Sequence, residues 1–506
     1  MIASLALAVL ATTGFTAAAS QTCDLLKAGN KIDVQTDKFS IPKAPYVAEL
    51  DEYWSKASAD LKPGCVVLPK SAQEVSDIVK ALSASGNNDS FAIKAGGLSA
   101  NDGHNSVRDG PLISVRRMTE IRYDADKKLV RIEPGSRWTD VQRALDPVGM
   151  TVAGSRVGEV GVGGYMNGGG FSFLSPRYGW GVNNLAAAEL VLADGSIVTA
   201  SKNERPDLFA AIKGGTNNFG IVTAYVMEAI PIGQVWGGLM FFTGGSDKAD
   251  KMLAAIAKFT NEYPSHPKAA IIPTVQLVLS GLIELWVVFF FYDGPTVPDG
   301  VFDDFKALHP IFNSCKTQSY GDLLAGNSAI VLRGTRYKVA TETAVMPKDT
   351  SPESMLKVMR TYYDHWSKTS RDYKGILGLT SSMAMQPVPR SMAAAARSRG
   401  GDLLDLDDDV DRIIYEYDLS YLANWDDGLA ERAADDMTKG MKALVDKFAA
   451  DGVTKDAFRP LFANDVYRGQ DYFGRLRPEK RQLAAKVAKE VDPNGLFRNR
   501  MGGWKA

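Results

Sequence analysis

The chain has 506 residues, of which 45% are hydrophobic and 23% charged, and its formal net charge is -1. That is the profile of a globular protein with a core for about two domains. There is no basic excess of the kind nucleic-acid binding demands, and no acidic tail.

Residues 1–19 are apolar and carry no charge. They end in Ala17-Ala18-Ala19, the small residues of a cleavage site, and read as a secretory signal peptide. No basic residue precedes the apolar run, so a retained anchor is the alternative. Residues 20–60 form an N-terminal segment. Cys23 and Cys65 fall near the start of the mature chain, where a secretory route permits a disulfide between them. Cys315 is left over as a buried inert thiol. Asn88-Asp89-Ser90, beside Gly86, is a glycosylation sequon in a polar turn.

From 61 to 232 short β runs alternate with helical runs. CVVL, FAIK, LISV, LVRI, ELVLADG, SIVTAS and GIVTAYVMEAIP read as strands, with Gly or Pro at their ends. AQEVSDIVKALS, TDVQRALDPVG and DLFAAIKG carry apolar residues at helical spacing. From 233 to 460 the strands lengthen and mix with amphipathic helices, which predicts an antiparallel sheet with helices over one face. The apolar stretch at 271–295 is broken by Pro273, Gln276, Ser280, Gly281 and Glu284. It reads as two strands turning at Ser280-Gly281, not as a membrane span. Residues 461–506 form a tail whose helix, PEKRQLAAKVAKEV, is stopped by Pro493 and Gly495. The fold class is α+β.

Two glycine clusters stand out, KAGGLS (Lys94 to Ser99) and VGVGGYMNGGG (Val160 to Gly170). Such density is costly in chain entropy. It suits exposed amides that line a bulky anionic ligand, or else a set of tight turns. The dinucleotide fingerprint fails, because Met166 stands at its last position. No nucleotide-triphosphate loop and no G-x-S-x-G elbow occur. The run Asp405 to Asp411 mimics a calcium loop, with Glu416 at the twelfth position. Val410 replaces the required glycine, so a solvated loop is the better reading. The four histidines lack ligand spacing, so no metal site is expected.

Taken in order, CVVLPKSAQEVSDIVKAL, IKAGGLS, DGPLISVRRMTEI, RIEPGSRWTDVQRAL, VGVGGYMNGGG, FLSPRYGW, LVLADGSIVTAS, DLFAAIKGGTNNFGIVT and DPNGLFRNR resemble the berberine bridge enzyme-like FAD-linked oxidases. These belong to the vanillyl-alcohol oxidase/PCMH flavoprotein superfamily. The resemblance spans nearly all of the mature chain. It implies a two-subdomain PCMH-type FAD-binding domain at 61–232, a substrate domain at 233–460, and a 461–506 segment that completes the FAD domain. It also implies which residues hold FAD. Lys94, Ala95, Gly96, Gly97, Leu98 and Ser99 run along the pyrophosphate and ribityl chain. Val160, Gly161, Gly163 and Gly164 pass close to the flavin, Ile221 and Val222 meet the adenine side, and Asn464 sits near the ring.

The sequence departs from the family at both flavin-linking positions. Leu98 stands where relatives carry a histidine, and Val157 where they carry a cysteine. FAD is therefore expected to be bound non-covalently, with His104 the one rescue candidate for a link. The family's E-x-x-Y-x-x-x-W strand motif becomes DLSYLANW, which puts Asp418 in the place of the base, with Tyr421 and Trp425 matching. The alternative is an ordinary edge or ion-paired carboxylate. Ser420 and Leu422 share the Asp418 face. Tyr165 and Tyr421 are the expected orienting groups, and Gln276 and Glu284 the expected pocket wall. Asp465 occupies the place of a tail tyrosine that serves some relatives as base. The expectation is a secreted FAD-dependent oxidase of specialised metabolism, acting on a small molecule with molecular oxygen as acceptor and with no membrane span after signal removal. A non-redox cyclase that retains FAD and an inactive binding protein are the alternatives.

Overall fold

The computed structural model describes residues 20–36 and 45–506. The expected signal segment lies outside the described residues. Cys65–Leu68, Pro111–Ser114 and Ala92–Lys94 form a parallel sheet, with Asp33–Gln35 added antiparallel at one edge. The Ala72–Leu82 helix packs its Val75, Ile78, Val79 and Leu82 stripe into this core. Ser71 caps the helix by accepting from the Glu74 amide. Cys23 and Cys65 form a disulfide beneath it. Asn88 of the sequon is exposed.

A second, antiparallel sheet has the order Ile121–Asp124, Leu129–Ile132, Ile221–Glu228, Leu185–Val191, Ile197–Ser201. The tail returns to these two sheets. Leu496, Phe497 and Met501 enter the core of the Ala72–Leu82 helix. Arg500 donates to the Leu82 and Asp89 carbonyls, each at 2.7 Å.

The third sheet is antiparallel and eight-stranded. Its long strands run in the order Val235–Thr243, Ile283–Tyr292, Ala269–Val278, Thr380–Val388, Arg412–Tyr421, Arg336–Val345. The 271–295 stretch is the expected hairpin. Its turn uses Leu279, Ser280 and Gly281, all at positive φ. Alternation along Arg412–Tyr421 decides the layering. Ile413, Tyr415, Tyr417, Leu419 and Tyr421 sink into a core shared with the Ser246–Glu262, Pro352–Asp372 and Asp427–Ala450 helices. Ile414, Glu416, Asp418 and Ser420 face the other way, toward the first two sheets. No described helix is long and apolar enough to cross a membrane.

Two expectations are corrected. The acidic run at 405–411 is not simply solvated: Arg477 pairs with Asp405 and Asp407, and Arg390 with Asp411. Cys315 is only half-buried, although burial still pushes its thiol up to about 12.

Lys94 turns into the protein interior. Its ammonium lies 2.8 Å from Glu49, and both side chains are essentially inaccessible. Arg116 completes the group at 2.8 Å from Glu49. Removing Lys94 leaves the buried Glu49 carboxylate only the half-exposed Arg116 as a counter-charge, so Lys94→Ala should destabilise the protein by about 3 kcal/mol. Denaturant unfolding checks this. FAD affinity measured on the folded fraction should stay unchanged, because a cofactor role for Lys94 would lower it.

Candidate active site

Between the third sheet and the first two lies a cavity of about 810 Å³. Ala95, Gly96, Gly97, Leu98 and Ser99 line it, as do Val160, Gly161, Gly163, Gly164, Ile221, Val222 and Asn464. Every residue expected to hold the cofactor is thus brought together except Lys94. The glycines do different work from that expected. A Cβ on Gly96 would sit 2.6 Å from the Gly161 amide nitrogen, and one on Gly161 2.4 Å from that of Gly96. The two loops are bare because they press on each other. Gly164 is the reverse: a Cβ there would meet nothing within 4 Å. Asn464 reaches from the tail to clamp this segment, donating to the Gly164 carbonyl and accepting from the Gly170 amide, each at 3.1 Å.

The sheet face supplies the polar end. Asp418 lines the cavity, and its Oδ2 accepts from the Ser382 hydroxyl at 3.3 Å. Its Oδ1 is buried with no partner. Burial, then the nearby charge of Asp465, pushes the Asp418 carboxyl up to about 7. Asp465, from the tail, is pushed up to about 6 by burial. Glu416 is raised well above the carboxylate range by burial and by both neighbouring acids. Gln386 joins two of the three, donating to Asp465 at 2.9 Å and to Glu416 at 3.1 Å. Arg156 donates to the Gln386 side-chain Oε1 at 2.5 Å and stacks over Phe171, 4.5 Å from the ring centre. Three buried acids this close together resist ionising together, and a single guanidinium offsets only part of their charge.

Three expectations fail here. Tyr421 lies on the opposite face of the sheet, fully buried, and donates to Asp427 at 2.6 Å. It is an odd number of residues from Asp418, so the two-residue period had already placed it there. The Tyr165 ring lines the cavity, but its hydroxyl is engaged by the Ala153 carbonyl at 3.3 Å and is not free to orient a ligand. Glu284 faces the helices and accepts from Tyr363 at 2.6 Å, whereas Gln276 does line the cavity. His104 lines it as well, edge-on to Trp504 at 4.7 Å, with burial and then Lys505 holding its imidazole down to about 4. Glu416, Asp465, Arg156, Gln386 and Ser382 were not expected as site residues. For Glu416 the signal was present, because it sits two residues before Asp418.

A family model, the FAD binding domain, matches residues 63–201. An FAD-linked oxidoreductase of Arthroderma benhamiae is 37% identical over 499 residues, 98% of this chain and 97% of that protein. The chain belongs to the FAD-linked oxidoreductases. A bifunctional solanapyrone synthase of Alternaria solani is 30% identical over 488 residues, covering 96% of this chain and 88% of the synthase. Among solved structures, 6-hydroxy-D-nicotine oxidase from Arthrobacter nicotinovorans superposes with a TM-score of 0.72 at 19% identity, covering 93% of this chain and 97% of that one. Berberine bridge enzyme from Eschscholzia californica gives 0.70 at 16% identity, covering 94% and 97%. The fold is that of the berberine bridge enzyme-like group, and FAD is the cofactor of this FAD-linked oxidoreductase.

The residues present fit that cofactor. The cavity is large enough for an extended ligand and is open at Gly164. Trp54 Nε1, Asn105 Oδ1 and Trp504 Nε1, on residues of its wall, are buried without partners. Gly164 separates cofactor space from protein packing. Gly164→Val should leave the unfolding of the FAD-free protein unchanged and weaken FAD binding by about ten- to a hundredfold. Flavin fluorescence titration checks this.

Proposed function

We propose that the protein is an FAD-dependent oxidase of a small organic substrate in specialised metabolism, with Asp418 as its general base and molecular oxygen as the final acceptor. One observation carries this reading. Asp418 presents a partner-free carboxylate oxygen, with a pKa near neutrality, on a wall of the cavity that the glycine loops also line. Bound FAD supplies the hydride acceptor and returns the electrons to oxygen. We infer that it is held non-covalently, because neither Leu98 nor Val157 offers an atom that could bond the flavin. The Cys23–Cys65 disulfide supports a secretory route.

The chain's own residues divide the work. Ionised Asp418 takes the proton from a substrate hydroxyl, phenol or amine as hydride leaves. Ser382 fixes its other oxygen. Gln386 pins Glu416 to Asp465, so these two act as one polar block. The Arg156 guanidinium favours ionisation of this block against the effect of burial. Ile272, Val287 and Phe289 on the same sheet face pack the apolar body of the substrate and exclude water.

A second reading rests on Glu416. A carboxyl whose burial favours its protonated form can donate to a substrate carbonyl and promote a non-redox cyclisation. The relative from Alternaria solani is named a bifunctional synthase.

Because Asp418 titrates near 7 and must be ionised to act, kcat/KM should fall as pH drops below about 7. Asp418→Asn should lower the rate about 10²- to 10⁴-fold and abolish that limb. Anaerobic mixing with substrate should bleach the flavin; turnover without bleaching would instead establish the cyclase. Acid precipitation should leave all the yellow colour in solution, and colour in the pellet would refute non-covalent binding.

A further inference from the structure

Large apolar side chains are exposed at one end of the eight-stranded sheet in a continuous group. Leu282 is 85% exposed, Trp425 76%, Leu332 66%, Leu279 61%, Leu422 55% and Leu377 50%. They occupy the ends of neighbouring strands. The Ser280 amide at the hairpin tip donates to the Leu379 carbonyl at 3.0 Å, and the Leu422 amide to that of Leu377 at 3.1 Å. Ser420 bonds Thr335 at 3.2 Å, which brings the loop carrying Leu332 alongside. One step inward on the same strand ends, Val278, Thr380 and Ser420 line the cavity, and Leu332 itself belongs to both its wall and the exposed rim. The apolar group is therefore a collar around the cavity mouth.

Three cations at this rim stand outside any ion pair. Arg371 lays its stem against Gly281 at the hairpin tip, where a Cβ would come within 3.5 Å of it. Arg371, Lys374 and Arg432 have no carboxylate partner among the described residues. Of the nearby acids, Asp372 is paired with Lys368 and Asp427 with Arg336, whereas Asp426 and Asp436 accept from the Leu377 amide and the Tyr373 hydroxyl and keep their charge. Protruding leucines and a tryptophan, flanked by unpaired cations, form the pattern of a protein that rests on lipid.

We propose that this end of the sheet docks on an anionic lipid surface, with the cavity mouth facing the lipid so that an apolar substrate enters from it. The entry route rests on the cavity being the substrate site; the docking does not. A folded partner on the same collar would seal the mouth, whereas a fluid layer leaves it open.

Co-sedimentation of the full-length holoprotein with vesicles tests the docking without any catalytic readout. Binding to mixed phosphatidylcholine–phosphatidylserine vesicles is expected, and weaker binding to phosphatidylcholine alone. The double variant Leu282→Asp/Trp425→Asp should lose about tenfold or more of the partition while keeping the wild-type melting curve. Ile197→Asp, exposed on the FAD-domain side, should bind as wild type. The proposal is overturned if no vesicle binding occurs or if the double variant binds undiminished. It is equally overturned if sedimentation velocity reveals a concentration-dependent dimer that the double variant abolishes, since a second copy would then cover the collar.

Discussion

The strict alternation of the Arg412–Tyr421 strand is the constraint from which the site follows. Its odd-numbered residues are the apolar floor of a helix-covered core, including three fully buried tyrosines. That core fixes the strand's register, because a one-residue slip would drive Glu416 and Asp418 into it. Once the register is set, both acids must emerge on the cavity side. Neighbouring strands inherit the same rule: Ser382 pairs with Asp418 and Ala384 with Glu416, so the hydroxyl that holds Asp418 is delivered by sheet pairing alone.

The cost of that placement is electrostatic. Carboxyls taken from water into a dry cavity resist ionisation, and each ionised neighbour makes the next harder to ionise. Glu416 is raised by its burial and then by both other acids. Asp418 and Asp465 stay nearer neutrality, each with a hydrogen-bond donor, Ser382 and Gln386, favouring its charged form. The three are best regarded as one titrating unit. Arg156 keeps the unit from excluding charge altogether, since a guanidinium stays protonated even when buried.

Much of this was legible in the sequence. Strand and helix runs, the hairpin at Ser280-Gly281 and the convergence of the two glycine segments with the tail all followed from pattern and resemblance. What escaped were contacts between segments distant in the chain. Lys94 sits among cofactor-lining neighbours, yet its side chain is drawn to Glu49, and no local pattern announces a partner 45 residues away. Gly96 and Gly161 looked like ligand contacts because their mutual pressure is invisible in either loop alone. Asp465 registered only as a missing tyrosine, and its meaning came from Gln386 and Glu416 on strands it does not adjoin in sequence. Tyr421 is different, because parity alone sufficed to exclude it and a motif match overrode that parity.

Without a bond from Leu98 or Val157, retention of FAD depends on how firmly the cavity walls are held, and the tail is the element that holds them. Asn464 ties the Gly164–Gly170 segment, and Asn101 in the first glycine loop's continuation donates to the Val466 carbonyl at 2.8 Å. Arg500 and the Leu496–Met501 apolar residues then fasten the tail to the first sheet. Both glycine regions and the acid cluster therefore share one support, because Asp465 lies between Asn464 and Val466. Loosening the tail would disturb the glycine-lined wall and the acid cluster together, because the five residues from Phe462 to Val466 border both.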